Sequence, residues 1–392
     1  MIKHRFSKTA RRAVVLGASL LGVSAVWADS VQTTEPTISL GSVTSSNPQL
    51  FATDAKQGSA VVATLDLPFE WRHDTLTWTT TPLVRFGTGS GDAAVSKSVV
   101  SLGSLLENKT ERSDITVGGS YLSGSNAAQE PSVGTLTRVD VQTRVYGAQV
   151  GLTRKLTERV DVNVHAASQT LEYNATSALG LYSYRYLTGG AQLSMTISEH
   201  ERLVISEDAG QYEVSGLSVT DKSNSLSAGL YGQAGELWSY QLSGGLNRIQ
   251  AGSASKTNSF TYSAMGARSF ERASVSLAAS RSPQPSGFGT LATTQSETLR
   301  ATIKGTERLS YTVTGRWDAT SNSSLQVLLP NRSYRSFAAG IAWRMTPVWD
   351  LTADVNWSQV ETNASLFSEG SSAHANGVSL TLVRRFGPLH IY

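Results

Sequence analysis

Apolar and polar residues alternate along most of this chain with a period of two. The stretch WDLTADVNWSQ shows it plainly. Trp349, Leu351, Ala353, Val355 and Trp357 share one side, and Asp350, Thr352, Asp354, Asn356 and Ser358 the other. LSYTVTGRWDAT, LTGGAQLSMTI and VVATLDLPFEW repeat the pattern. Successive side chains of a strand point to opposite faces, so these segments read as β-strands with one apolar face. Helical repeats would instead space their apolar residues by three and four.

Charged corners separate the strands. LTER (156–159), SEHER (198–202), GELW (235–238), FER (270–272), GTER (305–308) and MTPVW (345–349) return every 35 to 42 residues. A period of that size marks a repeating supersecondary unit. The unit reads as strand, short corner, strand and longer polar connection. SSNPQLFATDAKQG, SGSNAAQEPSVG, RSPQPSGFG and SNSSLQVLLPNRS read as the long connections. Tight turns at one end and longer loops at the other are the habit of outer-membrane barrels. Seventeen strands fall between residues 59 and 386, and PTISLGSVTSS (36–46) supplies an eighteenth. Sixteen is the alternative count, and the stretch 88–112 has the weakest pattern.

The tryptophans sort by depth. Trp71, Trp238, Trp343 and Trp349 lie beside short corners, and Trp317 and Trp357 lie eight or nine residues further along. At about 3.3 Å per residue and roughly 40° of tilt, eight residues climb about 20 Å. An apolar band about 25 Å tall, with an aromatic girdle at each rim, fits that separation. Trp78 reads as lying between the two belts. The expected fold is therefore all-β: a transmembrane antiparallel up-and-down β-barrel of about 18 strands. In lipid every backbone N–H and C=O needs a partner, so only helices and closed barrels span it. The competing reading is a soluble sandwich or solenoid, with the apolar face as its core.

Residues 1–28 stand apart. A basic opening, MIKHRFSKTARR, precedes the 14-residue apolar run AVVLGASLLGVSAV and a small residue at Ala28. This is the pattern of a secretory signal peptide, with residues 29–392 as the mature barrel. The formal net charge of +3 shrinks accordingly. Five of the 33 Lys and Arg residues lie in this leader, leaving 28 against 30 acids. The residual balance gives no reason to expect nucleic acid as a partner. The chain has no Cys, so no disulfide framework holds an exported fold.

The order of segments resembles a known group. A strand ending in LTER, one ending in LEY, then YSYRY, a further strand and SEHERL follow the opening PTISLGSVTSSNPQLF. This resembles uncharacterised outer-membrane β-barrels of porin type, often encoded beside exopolysaccharide or protein-sorting gene clusters. The resemblance implies a Gram-negative outer-membrane location, contact with lipid and lipopolysaccharide, and traffic of hydrophilic solutes or polysaccharide through export components. The terminal strand GVSLTLVRRF is similar to the signal read by the barrel-assembly machinery, although Arg384 interrupts it and GPLHIY follows.

Candidate chemistry is sparse. His73, His165, His200, His374 and His390 are scattered, so no metal or other cofactor is expected. His165, beside Asp161 and Asn163, is the residue on which a lipid-modifying enzyme would depend. A barrel with ligand-binding outer loops is a third possibility. GTGSGD (87–92) lacks the Lys of a phosphate loop and reads as the start of a flexible loop. NKT, NAT and NAS read as polar turns. The polar parity gives the lumen candidates Asp66, Glu70, Arg72, Arg85, Asp161, His165, Arg300, Lys304, Arg316, Asp318, Arg344, Asp350 and Asp354. Both signs occur, which points to charge pairs across neighbouring strands along a polar channel. Gly340 and Ala342 leave room on the same face.

Overall fold

The computed structural model describes residues 31–47, 50, 57–91, 98–125, 141–174, 181–216, 220–252, 256–322, 331–363, 370–387 and 389–390. The expected leader lies outside the described residues. Eighteen strands run in chain order: β1 (Val31–Thr34 and Thr37–Ser45), β2 (Gly58–Asp66 and Phe69–His73), β3 (Leu76–Gly91), β4 (Val99–Lys109), β5 (Ser113–Ser125) and β6 (Gln142–Lys155). Next come β7 (Val160–Tyr173), β8 (Tyr184–Ser198), β9 (Glu201–Val214), β10 (Thr220–Ala234), β11 (Trp238–Ala251) and β12 (Lys256–Ser269). The last are β13 (Ala273–Ser286), β14 (Thr290–Lys304), β15 (Leu309–Asn322), β16 (Arg332–Thr346), β17 (Trp349–Thr362) and β18 (Ser371–Arg385, continued by Leu389–His390). Each pairs antiparallel with its sequence neighbours, and β1 pairs with β18 from Thr37↔Arg385 to Ser45↔Gly377. The sheet is thereby closed.

The breaks within β1 and β2 face each other. Thr34 pairs with Phe69 and Thr37 with Asp66, so Pro36 and Pro68 interrupt the ladder without shifting its register. Proline has no N–H to give. Here Thr34 Oγ1 donates to the Pro68 carbonyl at 2.6 Å. Leu389–His390 pairs with Thr33 and Thr34, so part of the GPLHIY tail prolongs the last strand.

The charged corners are the tight turns of one end. They occupy 74–75, 110–112, 156–159, 199–200, 235–237, 270–272, 305–308 and 347–348. LTER and GTER share one geometry. The Leu156 and Thr157 N–H groups both donate to Val160 O, and those of Gly305 and Thr306 both donate to Leu309 O. Thr157 Oγ1 accepts from the Arg159 N–H at 3.2 Å, and Thr306 Oγ1 from Arg308 at 3.2 Å. A hydroxyl accepting from the amide two residues on is a compact way to reverse a chain. Glu158, Arg159, Glu307 and Arg308 are left exposed. The opposite end is less uniform than expected. The connections at 215–219, 252–255 and 287–289 are themselves short. RSPQPSGFG in particular is no long loop: β13 continues to Ser286 and β14 starts at Thr290. Residues 87–91 of GTGSGD likewise extend β3 instead of starting a loop.

Long-range contacts identify the inner face. Tyr212 on β9 donates to Ser286 O on β13 at 2.6 Å, and Asp221 on β10 accepts from Leu291 on β14. Side chains from non-adjacent strands meet only inside a closed barrel. Register carries this parity around the wall. The other face holds the exposed apolar residues, among them Leu226 (60% exposed), Leu242 (52%) and Leu246 (67%). Trp238, Trp343 and Trp357 belong to this exposed outer set, and Trp71, Trp317 and Trp349 share its parity. Trp78 does not lie between belts. It pairs with Trp71 directly, packs edge-on to Phe69 and donates to Ser104 Oγ at 2.9 Å. Arg384, the interruption in the last strand, lies over the rings of Trp349 and Phe386 at 5.6 and 4.8 Å. An outward cation beside the turn end is held there by aromatic faces.

The orientation of the faces has a direct thermodynamic test. Leu242→Arg puts a cation at mid-depth on the outer face and is expected to destabilise the barrel by about 2–4 kcal/mol. Ser243→Arg, one residue on, faces the lumen and is expected to change stability by about 0.5 kcal/mol or less. Reversible unfolding in lipid vesicles, followed by tryptophan fluorescence, measures both. Equal costs would contradict the assigned orientation.

Candidate functional site

The candidate site is the lumen, and its main feature is a hairpin folded into it. In β13 the residues facing β12 are the odd-numbered ones, because the Phe270 N–H donates to Ala273 O at 2.7 Å. Pro283 and Pro285 are odd. At those positions the ladder to β12 would need an N–H that proline lacks. The β12–β13 pairing accordingly ends at Tyr262↔Arg281, whereas β13 and β14 stay paired to Ser286↔Thr290. Freed along one edge, the hairpin tip leans inward across β11, β10 and β9.

Its seat is specific. Asp221 accepts from the Leu291 N–H at 3.1 Å and the Gly252 N–H at 3.0 Å, with Thr290 Oγ1 at 3.5 Å. The Tyr182 N–H donates to Gly287 O at 2.8 Å. Leu291 is fully buried against a cluster that includes Leu171, Tyr173, Tyr184, Tyr212 and Ile249. Two glycines shape the tip. A Cβ on Gly287 would collide with the Tyr173 hydroxyl, and Gly289 adopts φ +83°. A second inward contact lies on the opposite wall. Leu50 packs on Val360, Ala373 and Ala375, and Asn47 Nδ2 donates to His374 O at 3.2 Å.

All thirteen lumen candidates share the inner parity. Asp350 receives Arg385 at 2.6 Å and Arg344 at 3.7 Å, joining three strands at the turn end. Arg316 pairs with Asp318 at 2.7 Å and Arg72 with Glu70, but each of these pairs lies along one strand. The expectation of strictly cross-strand pairing is corrected there: residues two apart on a strand share a face and meet directly. Asp161 meets Arg202 at 3.5 Å and His165 Nε2 meets Asp208 at 3.0 Å, both spanning from β7 to β9 over β8. Gly190 of β8 leaves room for the second pair. Asp354 accepts from Ser379 at 3.4 Å. Asp66, Arg85, Arg300 and Lys304 form no ion pair among the described residues. Among the described residues no group of three or more His, Asp or Glu side chains is arranged to hold a metal ion.

The hairpin seat escaped the sequence reading. Leu171, Tyr173, Tyr184, Tyr212, Val214 and Ile249 are apolar residues on the polar parity, all near one end of their strands. That local reversal, together with two prolines at alternate positions of β13, is the signal that a segment enters the lumen.

No family model and no curated protein matches the chain. Solved structures do resemble it in outline. Pseudomonas aeruginosa OpdO aligns with TM-score 0.48 and 14% identity, over 93% of this chain and 98% of that one. Acinetobacter baumannii OccAB3 aligns with TM-score 0.47 and 11% identity, over 92% and 100%. Pseudomonas aeruginosa OccK2 (OpdF), in complex with glucuronate, aligns with TM-score 0.49 and 10% identity, over 92% and 98%.

Proposed function

We propose that this protein is a porin-like channel of the Gram-negative outer membrane, passing small hydrophilic solutes. The observation that carries the reading is the division of one closed wall into an apolar outer face and a polar, charged inner face. A bilayer accepts such a wall, and water and solutes fill its interior. The seated β13–β14 hairpin makes the passage narrow. It favours small solutes over the extended polysaccharide that the family resemblance implies, because a polymer would have to thread past it. Lipid, lipopolysaccharide and the assembly machinery would be its partners in that membrane. A lipid-modifying enzyme is disfavoured by the position of His165. It faces the lumen, away from lipid, and meets Asn163 and Asp208.

Purified protein in planar bilayers is expected to give discrete, stepwise conductance. Barrels that insert and never conduct would sink the reading. Asp221→Ala is expected to enlarge the step or make it flicker. The substitution leaves the Leu291 and Gly252 N–H groups without their acceptor, at about 1–3 kcal/mol for each one that stays buried. An unchanged step in that variant would show that the hairpin does not limit the current.

A further inference from the structure

One band of the lumen wall carries no charge. It spans six neighbouring strands, β3 to β8, in two cross-strand rows. Thr81, Gly103, Ser120, Gly147, Gln169 and Tyr186 are successive partners in the first. Thr79, Leu105, Gly118, Gln149, Ala167 and Thr188 form the second, one step nearer the tight turns. The row above, toward the hairpin, is largely apolar through Leu122, Val145, Leu171 and Tyr184. The row below brings charge back with Glu107 and the His165–Asp208 pair.

The band is also hollowed. A Cβ on Gly118 would lie 2.9 Å from Gln149 Cγ and 3.2 Å from Leu105 Cδ1, and one on Gly103 would lie 3.0 Å from Thr81 Oγ1. One on Gly147 would strike Ser120 Oγ. Glycines on three adjacent strands thus let neighbouring side chains lie across them. A cavity of about 560 Å³ lies over this band, lined by these glycines and by Gln149 and Gln169. Glycine where a wall must admit a ligand closely is a recurrent use of the residue.

We propose that this hollow is a binding subsite for a neutral saccharide. The inference rests on the channel reading and names its solute class. Gln149 and Gln169 each offer two donors and an acceptor, and Thr79, Ser120 and Thr188 add hydroxyls. None of these five side chains has a hydrogen-bond partner among the described residues, so their capacity is directed at the lumen. Sugar hydroxyls match that set. Tyr186, Leu105 and Val145 meet the C–H faces of a ring. An ionic solute finds no counter-charge here, and losing water without one is costly. The band also lies next to the hairpin seat, so a solute passing the hairpin tip reaches this wall at once.

The test is current block in planar bilayers by maltotriose, a neutral trisaccharide, against trigalacturonate, an anionic one of similar size. Maltotriose is expected to interrupt the open-channel current. Trigalacturonate should require at least a tenfold higher concentration for the same block. Gly118→Val pushes the Gln149 side chain from its place and Gln169→Ala removes an amide, and each should weaken the maltotriose block at least tenfold while steps persist. Heat-modifiable mobility on gels checks that each variant is folded. If Gly118→Val fails to assemble, Gln169→Ala and the two-sugar comparison decide the matter alone. Clear steps with equal block by both sugars, or variants that block like wild type, would overturn the subsite and leave the channel standing. An absence of steps in the wild type would remove the channel reading and the subsite with it.

Discussion

Backbone hydrogen bonding around a closed wall governs this molecule. An unpaired N–H or C=O in hydrocarbon costs several kcal/mol, so a sheet that crosses a bilayer can have no free edge. The meeting of Thr37–Ser45 with Gly377–Arg385 of β18 satisfies that demand for the whole chain. The remaining features follow from how strictly the ladder is kept at each depth. At Pro36 and Pro68 two interruptions are set opposite one another and the register survives. At Pro283 and Pro285 the ladder is abandoned.

The depth of that second break matters. Arg281 stands nine residues beyond Arg272 in the tight turn. At about 3.3 Å per residue and roughly 40° of tilt this is a climb of about 23 Å. The split therefore begins at the far edge of an apolar band about 25 Å tall. Beyond it, water can satisfy the orphaned groups of the β12 edge, and the hairpin is free to turn inward. A break placed lower would expose the same groups to lipid. The prolines thus convert a rule about edges into a device that folds a hairpin into the lumen. Asp221 and the tyrosine cluster hold the result in place.

Much of the wall was legible because strand period and an apolar outer face leave the same mark on every segment. Leu242 and Ser243, or Trp357 and Ser358, separate by parity without any knowledge of their neighbours. The corners were equally legible, since a Thr followed by Glu and Arg can serve as turn acceptor and solvated tip at once. The in-folded hairpin was not. SPQPSGFG has loop-like composition, and its strand character depends on β14 lying beside it. Tyr184, Tyr212 and Ile249 read as irregularities until the hairpin supplied the surface they bury. The uncharged band was hidden for a related reason. Gly103, Gly118 and Gly147 are unremarkable in isolation and line one cavity only when register sets them on adjacent strands.

The central claim is that one face of each strand meets lipid while the next residue meets water. The chain has no Cys, so single cysteines can be placed one at a time from Ser239 to Arg248 on β11. Vesicles then receive either a water-soluble maleimide or a lipid-borne nitroxide that quenches a fluorophore on the thiol. Even positions such as 242 and 246 should be quenched from lipid and react slowly with maleimide, and odd positions such as 241 and 243 should do the reverse. Absence of that alternation, or its inversion, would contradict the account.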